Sequence, residues 1–204
     1  MADLFSDSYR VVTAHGRAET VVLASRFIAD VFPVDNETAA QAALEAVRKE
    51  FHAATHHCWA WRIGAEQPRA RSSDDGEPSG SAGRPILHAL ERSDVTNALL
   101  VVTRYFGGTK LGVGGLARAY GDAADAVMRA AAVEVRTIME TFTVTTTYDA
   151  LPRVKSLVYK HATLTAEEFG DAPRITVSVS RSGAARLKAA IIDAARGQAT
   201  IADE

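Results

Sequence analysis

The spacing of apolar and polar residues divides the chain into strands and helices that follow one order up to about residue 135 and another beyond it. Val11-Val12 and Val21-Val22-Leu23 centre two strand-like runs, residues 9–16 and 20–32, with His15-Gly16-Arg17 as a turn and Pro33 as a stop. From Asn36, a candidate N-cap, Ala39, Ala40, Ala43, Leu44, Val47 and Phe51 recur at spacings of three and four. This predicts an amphipathic helix to about residue 53. Residues 56–64 alternate and predict a strand with His57, Trp59 and Trp61 on one face and His56, Cys58, Ala60 and Arg62 on the other. Gln67-Pro68, Asp75-Gly76 and Glu77-Pro78 mark residues 65–81 as loop. A helix from about Ala82 carries Ile86, Leu87, Leu90 and Val95. The continuous run Ala98-Leu99-Leu100-Val101-Val102 predicts a strand covered on both faces. A long helix then runs from about Val113 to Ala132 through Leu116, Ala119, Tyr120, Ala123, Ala124, Val127 and Met128.

Beyond Val133 the pattern changes. Thr141 to Thr147 alternate as a strand, and Asp149 is placed to cap a helix carrying Leu151, Val154 and Val158. Residues 163–169 and 174–180 read as a hairpin around Gly170-Asp171-Ala172-Pro173. Ser182 is placed to cap a last helix, and residues 199–201 form an edge strand. The expected architecture is α+β in two domains: residues 1–135 in the order β-β-α-β-α-β-α, and residues 136–204 in the ferredoxin-like order β-α-β-β-α-β.

Composition limits what such a chain can do. No run of 18 apolar residues exists and residues 1–7 lack the form of a secretory leader, so no membrane role and a cytoplasmic location are expected. The single cysteine, Cys58, rules out an intramolecular disulfide and agrees with that location. Residues 1–135 carry 14 basic against 17 acidic side chains, and residues 136–204 carry 9 against 8. Nucleic-acid binders draw most of their affinity from excess positive charge, so RNA contact here requires a local patch.

The richest chemistry lies between Arg71 and Tyr120, where two Gly-rich, charged segments flank the apolar strand. Gly108-Thr109-Lys110-Leu111 has the wrong order for a Walker loop. Gly112-Val113-Gly114-Gly115-Leu116-Ala117 fits a relaxed dinucleotide pattern without the required spacing from a strand. Asp74, Asp75 and Glu77 lack EF-hand spacing and read as solvated turn acids, with Mg²⁺ as the competing use. Ser79 and Ser81 lack the glycines of a nucleophile elbow. The run His56-His57-Cys58 is a poor metal site, because adjacent strand residues point to opposite faces. Neither a metal nor a cofactor is expected. Anion binding remains, with backbone N–H groups at Gly107, Gly108, Gly112, Gly114 and Gly115 and cations at Arg104, Lys110 and Arg118. Against it stands a purely structural use, in which the glycines permit close packing and the cations pair with Asp74, Asp75 and Glu77.

These residues resemble the IMPACT family, specifically its bacterial two-domain members of the YigZ type. The resemblance is carried by Ser25-Arg26-Phe27-Ile28-Ala29, Ala54-Thr55-His56 with Cys58, Ser73-Asp74-Asp75-Gly76-Glu77-Pro78, and Ala82-Gly83 with Pro85. It continues through Arg104-Tyr105-Phe106-Gly107-Gly108, Lys110-Leu111-Gly112, Gly114-Gly115-Leu116 and Arg118-Ala119-Tyr120. It implies a first domain similar to the ribosomal protein S5 domain 2-like fold and a second similar to the last domain of elongation factor G. It also implies a role in translation regulation with RNA or the ribosome as partner, and no established enzymatic activity. The expected function is thus a translation-associated binding protein that uses Asp74, Asp75, Glu77, Arg104, Lys110, Arg118 and the nearby glycines. The alternative is an enzyme or sensor for a small anionic, phosphorylated metabolite, with Mg²⁺ at the acids. Arg153, Lys155 and Lys160 on the second domain suit RNA or an acidic protein partner, against the plainer reading of a solvated helix face.

Overall fold

The computed structural model describes residues 7–203; residues 1–6, read above as lacking a leader, lie outside them. The chain divides into two units, Tyr9–Arg136 and one that joins residues 137–203 to Asp7 and Ser8. In chain order the first contains β1 (Ser8–Val12), β2 (Gly16–Val22), β3 (Ser25–Pro33), α1 (Glu37–Glu50), β4 (His56–Ile63), β5 (Arg69–Ser73), α2 (Gly83–Arg92), β6 (Ala98–Tyr105), α3 (Gly112–Ala130) and β7 (Val133–Thr137). Strands β2, β3, β6, β4 and β5 lie side by side in that order as one antiparallel sheet, and β1 pairs with β7.

The central strand explains its own sequence. In β6, Leu100 and Val102 join the core beneath α2 and α3, while Leu99 and Val101 join a second core beneath α1, so the apolar run is buried on both faces. The expected faces of β4 hold too: Cys58 and Ala60 face the α2–α3 side, and Trp61 and Ile63 the α1 side. Asn36 caps α1 by accepting from the Ala39 N–H at 2.8 Å, and Ala40, Leu44 and Val47 are buried. The helix ends at Glu50, three residues short of the periodicity, with Phe51 as its C-cap.

Four expectations are corrected. The run 20–32 is two strands, because Leu23 (φ 45°) and Ala24 (φ 62°) reverse the chain between Val22 and Ser25. A two-residue hairpin turn with both central φ positive usually carries Gly or Asn, and neither is present to signal it. The loop 65–81 contains the edge strand β5, whose residues 69–72 are exposed and therefore show no apolar alternation. Val95 lies beyond α2, buried beside β1, and bridges to Arg10. The chain also forms β7, whose mostly exposed residues gave no strand pattern.

The second unit contains β8 (Met139–Thr146), α4 (Leu151–His161), β9 (Thr163–Glu168), β10 (Arg174–Ser180), α5 (Arg181–Ala194) and β11 (Ala199–Asp203), the β-α-β-β-α-β order. Its antiparallel sheet runs β11-β8-β10-β9 over a core that includes Phe142, Val144, Val154, Val158, Ile175, Val177, Leu187 and Ile191. Its helix caps differ from expectation. Because α5 starts at Arg181, Ser182 lies inside the first turn, and its N–H donates instead to the Asp7 carboxylate at 2.8 and 3.0 Å. At α4 the Ala150 N–H donates to Thr147 Oγ1 at 3.3 Å, leaving Asp149 out. Among the described residues no helix is long and apolar enough to cross a membrane.

Gly107 locks the hairpin tip to the end of β6. Its N–H donates to Ser25 Oγ at 3.1 Å, and a Cβ there would lie 2.1 Å from the Ala24 carbonyl carbon. Gly107→Ala is expected to destabilise the protein by about 3 kcal/mol, because the obstructing atoms are backbone. Gly114→Ala, with open space around the added carbon, stays within about 1 kcal/mol of wild type. Urea denaturation of both variants checks this, and equal losses would refute the close approach at Gly107.

Candidate functional site

The middle of the sheet places an arginine in the core. Register sets Arg104 of β6 between Phe27 of β3 and His56 of β4. Its guanidinium carbon lies 5.5 Å from the ring centres of both Phe27 and Phe106, and an NH2 group donates to Ser25 Oγ at 3.3 Å. Glu77, from the segment between β5 and α2, closes over it at 2.6 Å; the two side chains are 6 % and 4 % exposed. The same Glu77 oxygen, Oε1, accepts from Tyr120 of α3 at 2.7 Å, and His56 Nε2 stands 3.8 Å away. Burial, followed by the neighbouring Cys58 and Glu77, raises the Tyr120 pKa far above its ordinary value, so the phenol stays a donor.

The other two acids are also committed. Asp74 Oδ1 accepts from the Ala82 and Gly83 N–H groups at 2.9 and 2.8 Å, and Oδ2 from Gly80 N–H at 2.8 Å. It thus caps α2 from a distance in sequence, a task that the Ala82 side chain cannot perform. Burial pushes the Asp74 pKa up, but the three N–H donors outweigh it and hold the carboxyl below its usual range. Asp75 Oδ2 accepts from the His57 N–H at 2.7 Å and Oδ1 from Arg48 at 3.2 Å, while its carbonyl meets His56 Nδ1 at 2.8 Å. Cys58 Sγ donates to the Asp74 carbonyl at 3.0 Å, and burial pushes the thiol pKa far up, so no reactive thiolate forms. None of these groups is held in a form primed for nucleophilic attack.

The second half of the motif stays open. Lys110, Arg118, Gly108, Gly112 and Gly114 are exposed, and neither cation makes an ion pair or hydrogen bond with a described residue. Helix α3 opens at Gly112 (φ 71°) with Leu111 at its N-cap and no side-chain cap, so its first N–H groups are left for water or a ligand. Gly115 is half-buried against Leu111, and Gly107 serves packing. The structure therefore brings Glu77 and Arg104 together and leaves Lys110 and Arg118 apart from all three acids. The residues that complete the cluster, buried Ser25 and Tyr120 with the partly exposed His56 and Arg48, went unassigned in the sequence. Three of them stand inside the family motif, which was the only available signal.

Residues 23–128, which hold the buried Glu77–Arg104 pair and the Gly-rich start of α3, match the Impact N-terminal domain. The chain belongs to the IMPACT family. It is 38 % identical over 149 residues to IMPACT family member YvyE of Bacillus subtilis (strain 168), spanning 73 % of this chain and 69 % of that one. It is 40 % identical over 136 residues to IMPACT family member YigZ of Escherichia coli (strain K12), spanning 66 % and 67 %. A crystal structure of a hypothetical protein superposes with a TM-score of 0.71 at 30 % identity over 97 % of both chains.

Two outcomes follow from the buried cluster. Glu77→Ala strands a buried guanidinium and is expected to destabilise the protein by about 3 kcal/mol or more; a loss under about 1 kcal/mol in urea would show the pair to be dispensable. Because Asp74 titrates lower when folded than unfolded, its stabilisation is present above the unfolded pKa and vanishes as pH falls through the folded one. Asp74→Ala is therefore expected to lose about 1–2 kcal/mol at pH 7 and to lose less than wild type on acidification. Denaturant midpoints measured from pH 7 to 2.5 test both signs.

Proposed function

We propose that this protein is a non-catalytic, translation-associated binding protein that contacts RNA phosphates, on free RNA or on the ribosome, through the start of α3. The observation that carries the reading is the unequal fate of the motif's charges. Both oxygens of Asp74 and of Asp75 accept hydrogen bonds within the fold, and Glu77 neutralises Arg104. Lys110 and Arg118 remain exposed beside the uncapped helix. Membership of the IMPACT family supports the translational setting. We read the two units, divided near residue 135, as similar to the ribosomal protein S5 domain 2-like fold and to the last domain of elongation factor G. Such a protein works in the cytoplasm, with the second unit available to a protein partner. The commitment of Asp74 and Asp75 leaves little for Mg²⁺ to bind, which weighs against a metal-dependent enzyme.

The test is salt-dependent binding of single-stranded RNA and of intact ribosomes, with and without nuclease treatment. Replacing both Lys110 and Arg118 with Ala is expected to weaken binding and to lower the salt slope by about 1.4, at about 0.7 for each lost single-strand phosphate contact. An unchanged slope would remove these residues from the interface.

A further inference from the structure

The five-stranded sheet ends in two edge strands, β2 and β5, and the fold has used their chemistry unequally. At β2, Arg17 donates to Asp30 and Glu50, and Glu19 accepts from Arg26. At β5 little is spent. The strand pairs on one side only, with β4. Alternate residues of an edge strand turn both N–H and C=O outward, and no described group takes those of residues 69–73. Arg69 and Arg71 lie opposite Ile63 and Trp61, so both stand on the face that carries α1. Arg69 is 72 % exposed and meets Glu37 at 3.1 Å, whereas the exposed Arg71 pairs with no described residue. Beside Arg71 a groove of about 130 Å³ lies between α1 and this edge, lined by Leu44, Trp59 and Trp61 among others.

These features select an occupant. Phosphates accept hydrogen bonds and donate none, so they leave the outward carbonyls of β5 unmet, whereas an extended peptide supplies both donors and acceptors. A second copy of β5 laid antiparallel and centred on Arg71 sets two arginines directly opposite each other, which is destabilising. The matching strand is therefore acidic. We propose that β5 is a docking edge, at which an extended acidic segment of another protein adds a sixth strand to the sheet. Its carboxylates pair with Arg69 and Arg71 on the α1 face, and their methylene stems lie along the groove. Without a partner the same arginines keep like edges apart. β5 and its groove share no residue with the start of α3, so this docking and RNA binding are separate properties.

Trp59 and Trp61 are the chain's only tryptophans, so intrinsic fluorescence reads this edge directly. The test is titration of the full chain, at low salt, with a capped hexapeptide of alternating glutamate and valine. A saturable change in fluorescence below about 1 mM is expected, with the lysine–valine counterpart weaker by about tenfold or more. Two further peptides carry N-methyl groups, one on its glutamates and one on its valines. The one whose N–H groups meet β5 is expected to weaken by about tenfold or more, and the other to bind as before. Arg71→Glu reverses an exposed charge and is expected to weaken the glutamate peptide by about tenfold and to let the lysine peptide bind in its place. Equal binding of the glutamate and lysine peptides by wild type, no loss from either methylation, or no saturation up to about 1 mM overturns the proposal. So does a fluorescence change with an oligouridylate hexamer but not with the glutamate peptide, which would make the edge an RNA contact.

Discussion

The pairing of Glu77 with Arg104 is the constraint on which the first unit depends. The middle strand of the sheet carries a guanidinium into the core, where an unpaired charge would not be tolerated. A carboxylate must reach it, and among the described residues Glu77, in the segment between β5 and α2, supplies it. Once Glu77 is fixed, Asp74 is held over the first N–H groups of α2 and Asp75 over the N–H of His57 on β4. The same segment thus ties the arginine, a helix start and a sheet strand. Gly83 allows the closeness this requires, since a Cβ there would come within 2.8 Å of the Ser73 backbone.

The motif's charges divide between construction and surface. Its acids are consumed in folding, whereas two of its three cations are left in solvent at the start of a 19-residue helix. A chain with a net charge of −2 can in this way still present a positive, donor-rich spot, because much of its negative charge is already neutralised by its own N–H groups and arginines. The glycines divide in the same manner. Gly107 and Gly83 admit neighbouring backbone, while Gly108, Gly112 and Gly114 keep an exposed stretch free of side chains.

Burial that is periodic along the chain can be read from it. The spacing of Ala40, Leu44 and Val47 determined α1, the unbroken run around Leu100 determined β6, and the pattern beyond residue 139 determined the β-α-β-β-α-β order. The edge strand β5, the strand β7 and the Leu23-Ala24 reversal escaped, because exposed strands need no apolar alternation and positive φ leaves no mark on residue type when tertiary contacts hold it. The caps of α4 and α5 escaped for a related reason: the groups that satisfy those N–H donors belong to neighbouring turns or to the chain start.

The candidate site shows the same division more sharply. By itself the sequence determined that Asp74, Asp75, Glu77, Arg104, Lys110 and Arg118 belong to one motif, since their order and spacing are local facts. Which of them pair, and which face water, only the tertiary structure decided. Glu77 meets Arg104 across 27 positions and Tyr120 across 43, and such contacts depend on strand register and helix placement. The strength of a charge interaction depends on burial and partner distance, and neither quantity exists until the sheet has formed.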